Sequence, residues 1–186
     1  MNFAWAKPAK VALAAVLVMG LGVSACGRNQ AAGEASDEVS ADPAAVKAAK
    51  DFLAENKKAE GVIELPSGLQ YKIITSGPAD GRSPDSNDLV SVHYEGTLID
   101  GEVFDSSFDR GSPVVFAPEQ VVKGWTEALQ LMRPGDEWYL YVPPALGYGD
   151  VQAGPIPSHS VLVFRLQVLA VSEVPGGHKG GAAANG

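Results

Sequence analysis

Apolar residues recur at nearly every second position between 90 and 98, and the residues between them are mostly polar. A period of two is typical of a β-strand with one face on a hydrophobic core. The pair Asp100 and Gly101 predicts a tight hairpin turn, after which the chain runs back along the first strand. The returning strand places the apolar ring of Phe104 beside the carboxylate of Asp105. This hairpin therefore predicts a core face that ends at an apolar site with one charged group.

Similar patterns predict further strands and a single short helix within the same domain. Strands are predicted at 69–75, 136–142 and 161–169, with a shorter edge segment at 113–116. Between 120 and 132 three large apolar residues, the first of them Trp125, recur at helical spacing. One short helix is the only element available to cover the apolar face of the sheet. We therefore predict an α+β fold, a strongly twisted antiparallel β-sheet wrapped around one short α-helix.

A second helix is predicted ahead of this domain, over residues 42–60. Asp42 and Pro43 are typical of a helix start, and Gly61 is expected to end the helix. Apolar residues on one face, among them Ala49 and Phe52, must pack on something, because an isolated helix of this length is marginal in water. The sequence leaves two partners open, the chain's own domain and a second copy of the chain.

The N-terminal residues 1–25 have the layout of a secretory signal peptide. Two lysines precede an apolar run at 11–23, which is short for a membrane span. The residues Val-Ser-Ala at 23–25 directly precede Cys26, and these four residues resemble the lipobox of bacterial lipoproteins. We expect lipidation of Cys26 and a lipid anchor in the bacterial cell envelope; the alternative is an ordinary signal peptide with an incidental cysteine. Residues 26–41 are small and polar and predict a flexible tether.

Composition and charge narrow the function further. The chain has 186 residues and a formal net charge of -8, so it lacks the basic surface that nucleic-acid binding requires. Cys26 is the only cysteine, which excludes an internal disulfide, and three scattered histidines predict neither a metal site nor a hydrolase triad. We therefore expect no metal and no cofactor. The folded domain is predicted at 61–174, and the Gly- and Ala-rich tail at 175–186 is predicted to be disordered.

Five short motifs carry a resemblance to the FKBP-type peptidyl-prolyl cis-trans isomerases. They are Val-His-Tyr-Glu-Gly at 92–96, Gly-Glu-Val-Phe-Asp-Ser-Ser at 101–107, Val-Lys-Gly-Trp at 122–125, Tyr-Gly at 148–149 and Leu-Val-Phe at 162–164. The segments 52–61 and 66–71 are similar to the exported bacterial branch of the family, the macrophage-infectivity-potentiator-like group. Many members of that branch carry a longer helical N-terminal region that forms a dimer. The single helix here leaves open whether this chain is a homodimer.

The resemblance implies an apolar pocket that binds a proline and the residue before it. Trp125 would form the floor, and Asp105 and Tyr148 would supply polar contacts at the rim. Arg110 would pair with Asp105 and Tyr94 in a buried network that holds the wall. The implied walls are Tyr94, Phe104, Phe116, Val121, Val122, Ile156 and Phe164. Two departures, Val114 in place of a common aromatic residue and the loop at 154–158, are expected to change ligand preference without abolishing activity.

The chemistry of such a pocket requires no nucleophile. Rotation about a peptide bond faces a barrier of roughly 18–20 kcal/mol because amide resonance is lost at the twist. A dry pocket binds the less polar twisted amide better than the planar one, which lowers that barrier. The resemblance implies an envelope-anchored isomerase that faces the periplasm, acts on proline-containing exported polypeptides and is inhibited by macrolides. The alternative is a chaperone module that binds proline-containing segments in the same pocket without turnover.

Overall fold

The computed structural model of the chain describes residues 42–176, and the following account concerns that range. Its helices are α1 (Pro43–Asn56) and α2 (Lys123–Leu129), and short 3-10 turns lie at Pro118–Gln120 and Pro144–Leu146. The strands are β1 (Val62–Glu64), β2 (Gln70–Thr75), β3 (Leu89–Thr97), β4 (Val103–Ser106), β5 (Val114–Phe116), β6 (Glu137–Val142) and β7 (Leu162–Ser172).

These strands form one antiparallel sheet in the order β1-β2-β6-β7-β3-β4, and β5 pairs with β3. One face of the sheet, here called the inner face, packs against α2. Trp125 and Leu129 of α2 are buried in the same hydrophobic cluster as Tyr94 of β3 and Phe164 of β7. The predicted α+β fold, an antiparallel sheet packed on one short helix, is confirmed.

The helix α2 is shorter than the predicted segment 120–132. Gln120 belongs to the preceding 3-10 turn, and Val121 and Val122 adopt extended backbone angles before the helix begins. Two consecutive β-branched residues favour extended backbone over helix. The hydroxyl of Thr126 connects α2 to the preceding 3-10 turn by donating to the carbonyl of Pro118 at 2.6 Å. As a result, both valines are available to line a cavity next to the N-terminal end of α2.

Three further differences from the sequence prediction concern β1, the last strand and the first helix. The strand β1 was not predicted, since a three-residue strand is too short to show a period of two. The last strand continues past the predicted end at 169, because its final residues pair with the start of β3, Ser172 lying opposite Leu89. The first helix begins where expected, with the Asp42 side chain accepting from the Ala44 N–H, but it ends at Asn56. Gly61 instead takes the positive φ that turns the chain into β1.

The C-terminal half of α1 contacts its own domain, one of the two partners that the sequence left open. The ring of Phe52 lies 6.2 Å from that of Tyr141 on the outer face of the sheet. The side chain of Gln70, fully buried, donates to the Leu53 carbonyl at 2.9 Å and accepts from Asn56 at 2.8 Å. These contacts fasten the C-terminal half of α1 to β2 and β6.

Several predictions fall outside the described residues. They are the signal peptide at 1–25, lipidation of Cys26, the tether up to residue 41 and the tail from 177 onward. Neither α1 nor α2 has the length and apolar character that crossing a membrane would require.

Candidate active site

A cavity of about 430 Å³ opens between the N-terminal end of α2, the inner face of the sheet and the loop after β6. It is lined by Tyr94, Phe104, Asp105, Phe116, Gln120, Val121, Val122, Trp125, Tyr148 and Phe164. All the predicted site residues except Ile156 and Arg110 are thus among those that line the cavity. Gln120 was missed, because the sequence placed it inside a helix and gave it no role.

The floor of the cavity is made of aromatic rings that meet edge to face. Trp125 is only 4% exposed. Its ring meets those of Tyr94, Phe164 and Phe116 at centroid distances of 5.1, 5.1 and 6.0 Å and at interplanar angles of 82–85°. Such perpendicular contacts are favoured by the ring quadrupoles and fix each ring against its neighbours. We call these four residues the aromatic floor.

A glycine in β3 allows the rings to approach the sheet closely. A Cβ atom on Gly96 would lie 2.6 Å from the ring of Phe104 and 2.9 Å from that of Phe164. Those two rings in turn meet edge to face at 5.7 Å. The position of Phe104 at the cavity therefore depends on the missing side chain at Gly96.

A hydrogen-bonded triad lies beside the cavity, which two of its members, Tyr94 and Asp105, line. The Tyr94 hydroxyl donates to one carboxylate oxygen of Asp105, and Arg110 donates to the other. A second guanidinium nitrogen of Arg110 donates to the Tyr94 hydroxyl at 3.0 Å. We call Tyr94, Asp105 and Arg110 the polar wall.

The polar wall is not the buried network that was predicted. The side chains of Arg110 and Asp105 are 47% and 40% exposed. Only Tyr94 belongs to the core, because its strand lies in the middle of the sheet, whereas Arg110 lies on the loop that follows β4. The pairing partners are those predicted, but they meet at the surface.

The triad sets the charges at the mouth. Burial alone would raise the pKa of Asp105, but hydrogen bonds from Tyr94 and Arg110 and the Arg110 charge outweigh it and hold that pKa below its usual value. Burial and the hydrogen bond to Asp105 raise the pKa of Tyr94 above that of an ordinary phenol. At neutral pH the wall therefore presents an ionised carboxylate, a guanidinium and a neutral phenol.

Tyr148 and Ile156 come from the same long loop and lie in different environments. Tyr148 lines the cavity and is 45% exposed, which leaves its hydroxyl free to contact a bound peptide. Ile156 is 5% exposed, exchanges backbone hydrogen bonds with Ala153 and packs in the hydrophobic core. The structure does not place it on the cavity surface.

The histidines of the described range lie away from the cavity. His93 is on the outer face of β3, opposite Tyr94, where its Nδ1 atom is 3.0 Å from the Ser107 hydroxyl. His159 lies on the loop before β7, and its backbone N–H donates to Gly149. Between residues 42 and 176 no group of acidic, histidine or cysteine side chains is arranged to hold a metal ion.

Sequence comparisons show which known proteins the chain is similar to. A family model described as FKBP-type peptidyl-prolyl cis-trans isomerase matches residues 80–169, and one for the domain amino terminal to it matches 23–73. The chain is 46% identical over 127 residues to the FKBP-type peptidyl-prolyl cis-trans isomerase FkpA of Aeromonas hydrophila, covering 68% of this chain and 47% of the relative. It is 48% identical over 123 residues to the peptidyl-prolyl cis-trans isomerase Mip of Coxiella burnetii, covering 66% and 53%. The chain thus spans about half the length of these curated relatives.

Solved structures give the same result. The crystal structure of FkpA from Escherichia coli superposes with a TM-score of 0.69 at 38% identity, covering 74% of this chain and 64% of that one. A peptidyl-prolyl cis-trans isomerase from Pseudomonas syringae pv. tomato superposes with a TM-score of 0.65 at 40% identity, covering 70% of this chain and 95% of that one. The second match shares almost its whole length with the chain.

Proposed function

The chain belongs to the FKBP-type peptidyl-prolyl cis-trans isomerases, and we propose that it accelerates rotation about Xaa-Pro peptide bonds in the cavity above Trp125. The observation that carries the proposal is the combination of the aromatic floor with a single ionised carboxylate and a free tyrosine hydroxyl at the mouth. Such a site binds an apolar ring and has few groups to solvate a planar amide.

In this mechanism the proline ring packs on the face of Trp125 and the preceding residue lies towards the mouth. The planar amide is stabilised by resonance and by water, whereas the twisted amide at the top of the barrier has lost resonance and is less polar. Moving it out of water therefore costs less than moving the ground state. The cavity stabilises the transition state relative to the substrate, which raises the rate without a covalent step.

The polar groups at the mouth orient the peptide. The Tyr148 hydroxyl donates to a substrate carbonyl, and the charged Asp105 faces the substrate amide while Arg110 and Tyr94 hold the carboxylate in place. Each 1.4 kcal/mol of differential stabilisation gives about a tenfold rate increase. A few such contacts in a dry cavity are enough for a useful catalyst of a reaction that is slow in solution.

The same proposal extends to location and substrates. A relative from Legionella longbeachae, 48% identical over 123 residues, is named an outer membrane protein. Together with the apolar run before Cys26, this supports a lipid anchor at Cys26, a site facing the periplasm and substrates among exported, proline-containing polypeptides. Replacing Cys26 with alanine should move the protein from the membrane to the soluble fraction of cells and remove the acyl mass; an unchanged distribution would contradict the anchor.

The proposed activity is tested with the full chain and a Xaa-Pro test peptide, by following cis-to-trans exchange with and without a macrolide. Macrolide-sensitive acceleration that falls strongly in Tyr148→Phe and Asp105→Val is the expected result. If both variants keep the full rate, the polar contacts of Tyr148 and Asp105 do not contribute to the mechanism. Peptide binding without acceleration would favour the alternative, a module that holds proline-containing segments.

A further inference from the structure

We propose that Phe108 is a positioning residue, which holds Arg110 against Asp105 and Tyr94 from the outer face of the sheet; this rests on the proposed isomerase function. Phe108 does not line the cavity and was not among the predicted site residues. It lies on the loop after β4, two positions before Arg110.

Phe108 covers two side chains on the outer face. Its ring stacks on the imidazole of His93 with centroids 4.8 Å apart and an interplanar angle of 17°. The guanidinium of Arg165 lies over the same ring at 5.0 Å. Arg165 is itself held by Glu137, to which its Nε–H donates at 2.7 Å. We call Phe108, His93 and Arg165 the outer clamp, and its members come from the loop, β3 and β7.

Ser107 ties the clamp to the cavity side of the sheet. Its backbone N–H donates to the Tyr94 carbonyl at 2.9 Å, and its hydroxyl accepts from the Tyr94 N–H at 2.8 Å. The same hydroxyl lies 3.0 Å from Nδ1 of His93. The loop is therefore fixed on β3 at the residue whose phenol belongs to the polar wall.

Beyond this point the backbone forms a turn around Arg110, in which the Gly111 N–H donates to the Phe108 carbonyl at 2.9 Å and the Asp109 N–H donates to the Ser106 hydroxyl at 3.1 Å. Arg110 is half-exposed, and Gly111, with a φ of +67°, reverses the chain directly after it. An exposed ion pair stabilises little, since ordering two side chains offsets most of the attraction. A loop that is already ordered by the clamp removes much of that entropic cost and presents the guanidinium in one place. The clamp thereby anchors the turn that carries Arg110 on the outer face of the sheet.

A double-mutant cycle tests whether Phe108 acts through Arg110. We expect Phe108→Ala to lower kcat/KM by about tenfold in the otherwise unchanged chain and by less than about twofold in Arg110→Ala. Phe108→Tyr keeps the stacked ring and should restore the rate. Equal losses in both backgrounds would overturn the proposal, because Phe108 would then act independently of Arg110.

The matched control is Phe52→Ala, which removes another aromatic ring from the outer face, where it packs on Tyr141. It should lower the unfolding midpoint and leave kcat/KM unchanged. A fall in kcat/KM as large as that of Phe108→Ala would overturn the proposal. If Phe108→Ala does not fold, Arg165→Ala replaces it in the cycle, since this side chain is 43% exposed and its loss leaves no buried cavity.

A readout independent of turnover separates this inference from the proposed function. Nitrogen-15 NMR of the arginine side chains should show slow rotation of the Arg110 guanidinium in the unchanged chain and fast rotation in Phe108→Ala. A chain that orders Arg110 in this way but does not accelerate isomerisation would overturn the function alone. A guanidinium that stays ordered in Phe108→Ala would overturn the clamp alone.

Discussion

The aromatic floor and the polar wall enclose the same cavity and are built in opposite ways. The floor takes Trp125 from a helix and Phe164 from a central strand, and its rings are fixed by packing on one another inside the core. The polar wall takes Arg110 from an exposed loop and is fixed by hydrogen bonds and charge. Tyr94 belongs to both, with its ring in the floor and its hydroxyl in the wall.

Because of this difference, substitutions in the two regions should affect the free energy of unfolding and the isomerisation rate differently. Changes to the floor remove buried apolar contacts, so they should lower both the free energy of unfolding and the isomerisation rate. Changes to the wall remove half-exposed contacts, so they should lower the rate with little effect on stability.

The largest effect is expected for Trp125→Ala. Removing a buried indole costs about 3–5 kcal/mol of unfolding free energy, and it also removes the surface on which the proline ring packs. Urea denaturation and the peptide assay, with rates corrected for the folded fraction, measure the two effects. Trp138→Ala is the matched control, since Trp138 is equally buried but stacks on Tyr71 away from the cavity. Equal corrected rates in both variants would leave Trp125 with a structural role only.

The next largest effect is expected for Gly96→Ala. The added methyl group would meet the rings of Phe104 and Phe164 at less than van der Waals distance, so both rings must move. Overpacking of this kind costs about 1–3 kcal/mol of unfolding free energy. We expect a weaker affinity for the macrolide, measured by titration, because Phe104 would be pushed into the cavity. Unchanged affinity would show that the rings of Phe104 and Phe164 can move away from the added methyl group without changing the shape of the cavity.

Asp105→Asn tests the polar wall without changing its shape. The amide keeps one acceptor for Tyr94 but loses the charge that pairs with Arg110. We expect roughly a tenfold fall in kcat/KM and, because both charged groups are half-exposed, a change in unfolding free energy below about 1 kcal/mol. A large loss of stability would contradict the assignment of the wall to the surface.

The pH dependence provides the control for this charge. The pKa of Asp105 lies below its ordinary value of 3.8, so its contribution is fully present above that value and is lost as the pH falls through the lowered pKa. The pKa of Tyr94 lies above the ordinary 10.0, so the phenol stays neutral at neutral pH. Isomerisation should therefore be level between about pH 5 and pH 9, provided that the peptide does not titrate. A slope within that range would contradict the charge state assigned to the wall.

Local patterns predicted the elements that carry the floor, whereas the roles of the floor and wall residues were implied by the resemblance to the FKBP family. The hairpin around Asp100, the strand that carries Tyr94 and the short helix with Trp125 are each signalled within a few residues, by alternation, turn chemistry and helical spacing. The exposure of Arg110 depends on where its loop lies relative to the sheet, which no local pattern records. The contact of Phe108 with Arg165 joins residues far apart in the chain and gives no sequence signal.

The start of α2 shows a different limit of prediction from sequence. Spacing predicted a helix from Gln120, whereas the structure keeps Val121 and Val122 extended. The hydrogen bond from Thr126 to Pro118 that closes this corner became visible only in three dimensions. Gln120 was missed as a cavity residue for the same reason.

Ile156→Val tests the smallest difference, at the one predicted wall residue that does not line the cavity. Deleting a single buried methyl group costs about 0.5–1.5 kcal/mol of unfolding free energy. If Ile156 acts only through the core, kcat/KM and macrolide affinity should both stay unchanged while the urea midpoint falls. A fall in kcat/KM without a matching fall in stability would place Ile156 on the substrate path, and the loop between Tyr148 and His159 would then have to move when peptide binds. The aromatic floor would in that case extend beyond the rigid elements that hold Trp125 and Phe164.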